Sequence, residues 1–354
     1  MKIIHMADCH LDSVMETHLP SKTAQARRAE LLLTFRAIIE SAERGGAALV
    51  LIAGDLFDTP TPQGSTVRYV LSVLSSHEDI RFVIIEGNHD AGALKNEALP
   101  KNVTLVKAGE CASFTFREID LYAAGYGADS ASVAALPIDP ERKNIMMLHG
   151  TLGYPTKDDP AILERALIES LPIDYLALGH YHSHRVERLS ARTTACYAGV
   201  PEGRGFDETG VAGCVLLETD TMQAEFLPSA LRTLHRLTVD ITSSATQHDI
   251  ENAVYAEIAS IPKNDMVHLT LVGHYRDTLE KDAMRIRTML EDTFYFAKLK
   301  DESTLALSPE DYKNDISLRG EFVRTVFAAE LSDEDRARIL SYGLRALNHE
   351  SIED

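Results

Sequence analysis

Five short apolar runs in this 354-residue chain all end in the same way. Ile3–Ala7 runs into Asp8-Cys9-His10, and Ala47–Ala53 runs into Gly54-Asp55-Leu56-Phe57-Asp58. Phe82–Ile85 leads to Glu86-Gly87-Asn88-His89-Asp90, Ile145–Leu148 to His149-Gly150, and Tyr175–Leu178 to Gly179-His180-Tyr181-His182. Continuous apolar runs of this length read as strands buried on both faces. Polar residues just past the carboxyl ends of such strands line a shared crevice in open α/β sheets. One Gly-Asp after a strand is a weak signal, because Asp caps many turns and helices. Five exits delivering Asp, Asn or His form a specific set, and they outline a metal site.

The spacing between the runs supplies the rest of the fold. Thr23–Arg44 is predicted to be an amphipathic helix closed by Gly45-Gly46, and Ser65–Ser76 a second one, opened by Pro62 and Gly64. Strands alternating with helices imply a layered α/β sheet. From Val103 the spacing shortens into Cys111–Phe116 and Leu121–Ala124, which reads as a crossover into a second sheet. The rhythm returns with Ile145–Leu148, a helix over Ala161–Glu169, and Tyr175–Leu178. Thr194–Ala198, Val211–Glu218 and Gln223–Phe226 are strand-like. The expectation for residues 1–228 is an α/β fold, a two-sheet β-sandwich flanked by helices.

Beyond Pro228 the order is strand Leu234–Val239, helix Thr246–Ala259, strand Met266–Leu271, helix Thr278–Glu291 and strand Phe294–Lys300. This predicts a small α+β domain over 229–305 and a helical tail over 306–354. In the tail, helices are expected over Glu321–Ala329 and Asp333–Leu347. Leu331, Ile339, Leu340, Leu344 and Leu347 would share one face, read as a seam against the protein's own core rather than a docking surface.

Composition narrows the function classes. The four cysteines, Cys9, Cys111, Cys196 and Cys214, are scattered without a Cys-x-x-Cys pair, so neither a zinc ribbon nor a disulfide framework is expected. No apolar run reaches the roughly 20 residues of a membrane span, and the start lacks a signal-peptide layout. The expectation is a cytoplasmic protein with no membrane partner. Net charge is −19, with 20 basic and 31 acidic residues through Pro228. That balance argues against autonomous nucleic-acid binding. Bound cations or a basic partner would reverse the local sign.

The exits carry the chemistry. Asp8 and His10 are two residues apart, so an extended segment would place both on one side and turn Cys9 away. With Asp55, Asn88, His149, His180 and His182 they make seven candidate metal ligands. Seven are too many for one first-row ion unless a carboxylate bridges two. Mixed oxygen and imidazole ligation suits Mn, Fe or Zn. A pair of ions can clamp a phosphate for in-line attack, so phosphoester hydrolysis is expected. His89 follows a ligand without being needed as one, which suits a proton donor or a stabiliser of transition-state charge. Asp58 or Asp90 would orient it. Of the other histidines, His5 reads as a core residue and His184 as a surface one. His18, His77, His235, His248, His268, His274 and His349 lie outside the pattern.

Taken together, Asp8-x-His10, Gly54-Asp55, Gly87-Asn88-His89-Asp90, His149 and Gly179-His180-x-His182 resemble the calcineurin-like metallophosphoesterases. Asp8-Cys9-His10-Leu11-Asp12 and Gly54-Asp55-Leu56-Phe57-Asp58 are most similar to the SbcD-type (Mre-type) DNA-repair exonucleases, a likeness covering residues 1–205. The resemblance implies that Asp8, His10, Asp55 and His182 hold one metal, and Asp55, Asn88, His149 and His180 the other. It further implies His89 as the catalytic histidine and two divalent ions, Mn²⁺ foremost. It implies exonuclease and endonuclease action on DNA ends and single strands, beside a coiled-coil ATPase of the SbcC type. The small domain after Pro228 would be a capping domain and the tail the ATPase-docking region. A homodimer would form through helices such as Ser65–Ser76. The stretch Gly199-Val200-Pro201-Glu202-Gly203-Arg204 departs from the family's frequent Gly-Ser-Pro and is similar to a Gly-Arg-containing bacterial branch. The alternative is a small-molecule metallophosphoesterase, such as a cyclic nucleotide phosphodiesterase or a nucleotidase. A non-catalytic scaffold is disfavoured because every proposed ligand and His89 are present.

Overall fold

The computed structural model describes residues 1–15, 19–153, 162–276, 279–307 and 310–347. The chain divides into two compact units, Met1–Leu234 and His235–Asp354.

The first unit begins with β1 (Lys2–Met6), α1 (Ser21–Arg44), β2 (Ala47–Ala53), α2 (Gly64–Ser75), β3 (Arg81–Ile85) and β4 (Val103–Val106). It continues with β5 (Cys111–Phe116), β6 (Ile119–Ala124), α3 (Ser130–Ala134), β7 (Lys143–His149), β8 (Thr151–Gly153) and β9 (Ile162–Glu164). It closes with α4 (Arg165–Ser170), β10 (Tyr175–Gly179), β11 (Arg185–Arg188), β12 (Thr194–Tyr197), β13 (Gly213–Glu218) and β14 (Gln223–Pro228). Two six-stranded sheets result, ordered β14-β13-β1-β2-β3-β4 and β11-β12-β10-β7-β6-β5. This is the expected sandwich, and the crossover falls between β4 and β5.

The centre of each sheet is parallel. In the first sheet β1, β2, β3 and β4 run together, with His5 beside Leu51 and Leu51 beside Val83. In the second, β6, β7, β10 and β12 run together, with Gly179 beside His149. Antiparallel strands complete three of the four edges: β14 beside β13, β11 beside β12, and β5 beside β6. All seven residues of β2 are buried, as a parallel strand covered on both faces demands. Alternate residues fill the space between the sheets, among them Ile3, Leu49, Leu51, Val83, Ile145, Met147, Tyr175 and Val215. Each buried aliphatic side chain there contributes about 1.5–3 kcal/mol. The outer face of the second sheet is sealed by α3 and α4 through Val133, Ile168, Leu148 and Leu176. His5 is buried in the core, as expected, and its Nδ1 lies 2.9 Å from the Tyr175 hydroxyl.

One local expectation changed. The helix expected over Ala161–Glu169 starts at a position outside the described residues, and the described part is a short strand before α4. Val211–Glu218 and Gln223–Phe226 are the antiparallel hairpin β13-β14, and β13 pairs with β1. The final strands of the unit therefore lock its first.

The second unit opens within β15 (Leu234–Asp240) and contains α5 (Gln247–Ile258), β16 (Met266–Val272), β17 (His274–Arg276), α6 (Ala283–Thr293), β18 (Phe296–Asp301) and β19 (Thr304–Ala306). The helices α7 (Leu318–Ala328) and α8 (Asp333–Leu347) follow. Its sheet runs β15-β16-β18, and β17 and β19 form a separate small ladder. Thr246 caps α5 with a reciprocal bond to Asp249, which fixes where that helix starts. Thr278, where the next helix was expected to begin, lies outside the described residues, as do His18 and His349. Leu340 and Leu344 of α8 are buried against Tyr312, Val323 and Val326, while Ile339 is 40% exposed and leaves the expected face.

Candidate metal centre

Because β1, β2 and β3 are parallel in one sheet and β7 and β10 are parallel in the other, their carboxyl ends gather at one edge. The loops beyond those ends are held by backbone bonds: Asp8 N–H to Gly54 O (3.1 Å), His10 N–H to Asp55 O (3.0 Å) and Leu11 N–H to Leu56 O (3.0 Å). The expected extended path through Asp8 and His10 is not the one found. Strand β1 ends at Met6, and Asp8 and His10 have φ of 51° and 43°. Asp55 (φ 50°) and His180 (φ 92°) are also left-handed. Such backbone costs of order 1–3 kcal/mol per residue and collects at functional sites. The two side chains converge through this kinked backbone, not through strand alternation. Cys9 is buried, its Sγ 3.9 Å from the Ala7 carbonyl.

The side chains form two adjoining groups. In one, His10 Nε2 and His182 Nε2 are 3.2 Å apart, and both cluster with the Asp8 carboxylate. In the other, His149 Nε2 lies 3.3 Å from Asp55 Oδ2 and 3.0 Å from Asn88 Oδ1. His180 Nδ1 is 3.3 Å from the same Asn88 oxygen. Asp55 stands between the groups, 3.7 Å from His10 Nε2 through Oδ2. All seven expected ligands are thus brought together. Asp8, His10, Asp55 and His149 are each no more than 2% exposed. Converging lone pairs buried this deeply need a cation or protons to offset their repulsion. The mix of imidazole and oxygen donors fits divalent transition ions.

Close approach explains the glycines of the motifs. A methyl group on Gly54 (φ +88°) would collide with the His149 ring, and one on Gly87 with the Asp55 carboxylate. The backbone of Ala53 also holds His149, whose Nδ1 lies 2.9 Å from the Ala53 carbonyl.

His89 is exposed at the mouth of this group, its ring edge-on to His10 with centroids 4.9 Å apart. Its backbone N–H donates to Asp55 Oδ1 at 2.9 Å. Of its two proposed orienting partners, Asp58 clusters with the His89 and His10 ring nitrogens. Asp90 departs from the expectation. Its carboxylate accepts backbone N–H bonds from Gly87 (2.8 Å), Leu56 (2.8 Å) and Phe57 (3.3 Å), so it builds the loops that carry the site. Asp12 is likewise structural, accepting from the Gln63 N–H (2.8 Å) and the Thr66 hydroxyl (3.1 Å) at the start of α2. His184 is half-buried against Phe226, not on the open surface.

Two residues of the site escaped the sequence reading. Glu208 Oε1 lies 2.8 Å from His182 Nδ1, and the Arg204 guanidinium joins Glu208 to Asp58. Arg204 enters the sequence reading only as the end of the stretch that departs from Gly-Ser-Pro, and Glu208 does not enter it.

Burial and neighbouring charges set the protonation states of these side chains. Burial disfavours a charged Asp55, yet the His149 ring outweighs it and holds the carboxyl down to about 2. His149 is held up to about 9 because Asp55 and Asp8 overcome its own burial. Burial pushes Asp8 and Asp90 up to about 6 and lowers His10 to about 4. Glu208 is held down to about 2, burial notwithstanding, by His182 and Arg204.

Residues 1–184 match the calcineurin-like phosphoesterase family. An uncharacterized metallophosphoesterase, YhaO of Bacillus subtilis, is 31% identical over 61% of this chain and 57% of its own length. The DNA double-strand break repair protein Mre11 of Sulfolobus acidocaldarius is 23% identical over 88% of this chain and 85% of its own. A component of the SbcCD nuclease of Staphylococcus epidermidis is 23% identical over 79% of this chain and 82% of its own. The chain thus spans little more than half of the first relative's length. Among the described residues no helix is long and apolar enough to cross a membrane. Members of the matched family are hydrolases that bind two divalent metals. The chain belongs to the calcineurin-like phosphoesterase family.

Proposed function

We propose that this chain is a metal-dependent DNA phosphodiesterase, with exonuclease and endonuclease action, serving as the nuclease subunit beside an SbcC-type coiled-coil ATPase. The observation that carries the reading is the convergence of two donor groups, Asp8-His10-His182 and Asp8-Asp55-His149, each within 4.8 Å. The relatives named for DNA repair and for the SbcCD nuclease supply the substrate class. Asp8, His10, Asp55 and His182 would hold one ion, and Asp55, Asn88, His149 and His180 the other, with Mn²⁺ favoured. Bound there, the two cations supply charge neutralisation of the phosphodiester and activation of water at neutral pH. The chain's own part is to orient and to move protons. Asp55 joins the two groups, and the His89 ring, beside Asp58, is free to reach the leaving oxygen as proton donor. Residues 229–305 are proposed as the capping domain, 306–354 as the ATPase-docking region, and α2 as a dimer contact. A cytoplasmic setting fits the four unpaired cysteines.

The test is Mn²⁺-dependent degradation of end-labelled linear duplex DNA, with His89→Gln as control and a chromogenic phosphodiester in parallel. Cleavage lost in the variant and in chelator supports the nuclease reading. Hydrolysis of the small diester with DNA untouched, even with an SbcC-type ATPase added, moves the assignment to a small-molecule phosphodiesterase. The net charge of −19 is the feature that favours that second reading.

A further inference from the structure

The two donor groups are held in different ways, and one of them depends on residues outside the seven ligands. His10 and His182 each turn Nε2 toward the shared point and Nδ1 toward a carboxylate. Glu208 Oε1 is 2.8 Å from His182 Nδ1, and Asp58 Oδ1 is 2.9 Å from His10 Nδ1, the latter a charge contact rather than an aligned hydrogen bond. One arginine ties those carboxylates together. Arg204 Nη1 donates to Asp58 Oδ1 at 2.8 Å, while Nε and Nη2 donate to Glu208 Oε1 at 3.0 and 2.5 Å. The Arg204 backbone N–H also donates to Glu208 Oε2 at 2.7 Å. The Glu208 side chain is 2% exposed.

The loop that carries this clamp is itself anchored. Glu202 accepts from Arg27 Nη2 (2.7 Å), the Thr34 hydroxyl (2.8 Å) and the Leu231 N–H (2.6 Å), and Arg27 is fully buried. The clamp therefore sits between a fixed loop and the site. On the other side, His149 Nδ1 faces the Ala53 carbonyl, a backbone atom that no substitution removes.

We propose that Arg204, Glu208 and Asp58 form a positioning clamp for the His10–His182 half of the metal centre alone, fixing the two imidazoles so that their Nε2 atoms face one ion. The inference rests on the two-ion reading above. Carboxylates behind metal-binding histidines fix ring tautomer and orientation, and losing one typically costs about 10–100-fold in metal affinity. The arginine's planar fork holds two carboxylates at once, a geometry that lysine does not reproduce.

The experiment is a count of bound Mn²⁺ and its affinity on the full chain, by equilibrium dialysis with metal analysis. The unaltered chain, Glu208→Gln, Glu208→Asp and Arg204→Lys are compared, each checked for folding by circular dichroism without metal. The unaltered chain is expected to bind two ions. Glu208→Gln and Arg204→Lys should each keep one at unchanged affinity and bind the other about 10–100-fold more weakly. Against an Asn88→Ala background, Glu208→Gln should weaken the remaining ion, and against a His10→Ala background it should change nothing. Two ions at unaltered affinity in Glu208→Gln, or equal weakening of both, would overturn the clamp. Fewer than two ions in the unaltered chain would overturn the two-ion reading and the clamp with it. Should Glu208→Gln fail to fold, Glu208→Asp and Arg204→Lys carry the same comparison.

Discussion

His149 and His182 sit in the same crevice and are held by different kinds of atom. His149 ends β7, and its Nδ1 meets the Ala53 carbonyl at the end of β2. Its place is set by two strands packed face to face, with glycine at position 54 to let the ring in. His182 stands in the loop beyond β10, a third exposed at its side chain, and is steadied by Glu208 and Arg204. The first is held by the fold, and the second by particular side chains. One crevice thus contains a half that is as robust as the core and a half that a single conservative substitution can loosen.

The largest expected effect removes this difference altogether. Asp55 touches both halves, so Asp55→Asn should abolish binding of the ion pair and lower turnover by roughly 10³-fold or more, beyond the loss of a single charge-stabilising group. Retention of two metals per chain, measured by metal analysis after dialysis, would remove Asp55 as the bridge. Next is His89→Gln, which should lower turnover by roughly 10²-fold or more and leave both ions bound. Steady-state kinetics with saturating Mn²⁺ reads this directly, and unchanged turnover excludes His89 from proton transfer.

Gly54→Ala attacks the half held by the fold. It places a side chain in left-handed backbone and against the His149 ring, so folding stability should fall by about 1–3 kcal/mol. Urea denaturation measures that loss, and a wild-type midpoint would show that the ring has room to move.

The smallest effect is a pH dependence. His149 stays protonated below about 9 in the metal-free chain, because Asp55 and Asp8 face it. A metal must displace that proton, so apparent affinity should rise with pH by up to about tenfold per unit and level off above the His149 value. Calorimetry in buffers of different ionisation enthalpy counts the released proton, and none released at pH 7 would contradict this electrostatic picture.

The same distinction decides what could be read from the chain. The β2 run is apolar from Ala47 to Ala53 because both its faces are buried, so strand and exit were visible together. Asp55, Asn88, His149 and His180 followed from strand ends alone, and parallel pairing brings those ends to one edge. Asp8 and His10 also follow a strand end, but their convergence comes from positive φ rather than from the expected alternation. Arg204 and Glu208 lie in a loop with no periodicity, and Arg204 is 146 residues beyond the Asp58 it holds. Pairing across such a span is created by tertiary structure, and residue type alone does not announce it. Asp90 shows the converse, a carboxylate inside a catalytic-looking motif whose hydrogen bonds are all to loop backbone.

Anomalous diffraction from crystals of the full chain grown with Mn²⁺ tests the ligand assignment most directly. Two peaks are expected, one among Asp8, His10 and His182 and the other among Asn88, His149 and His180, with the Asp55 carboxylate between them. A single peak, or peaks away from these side chains, would contradict the two-ion centre.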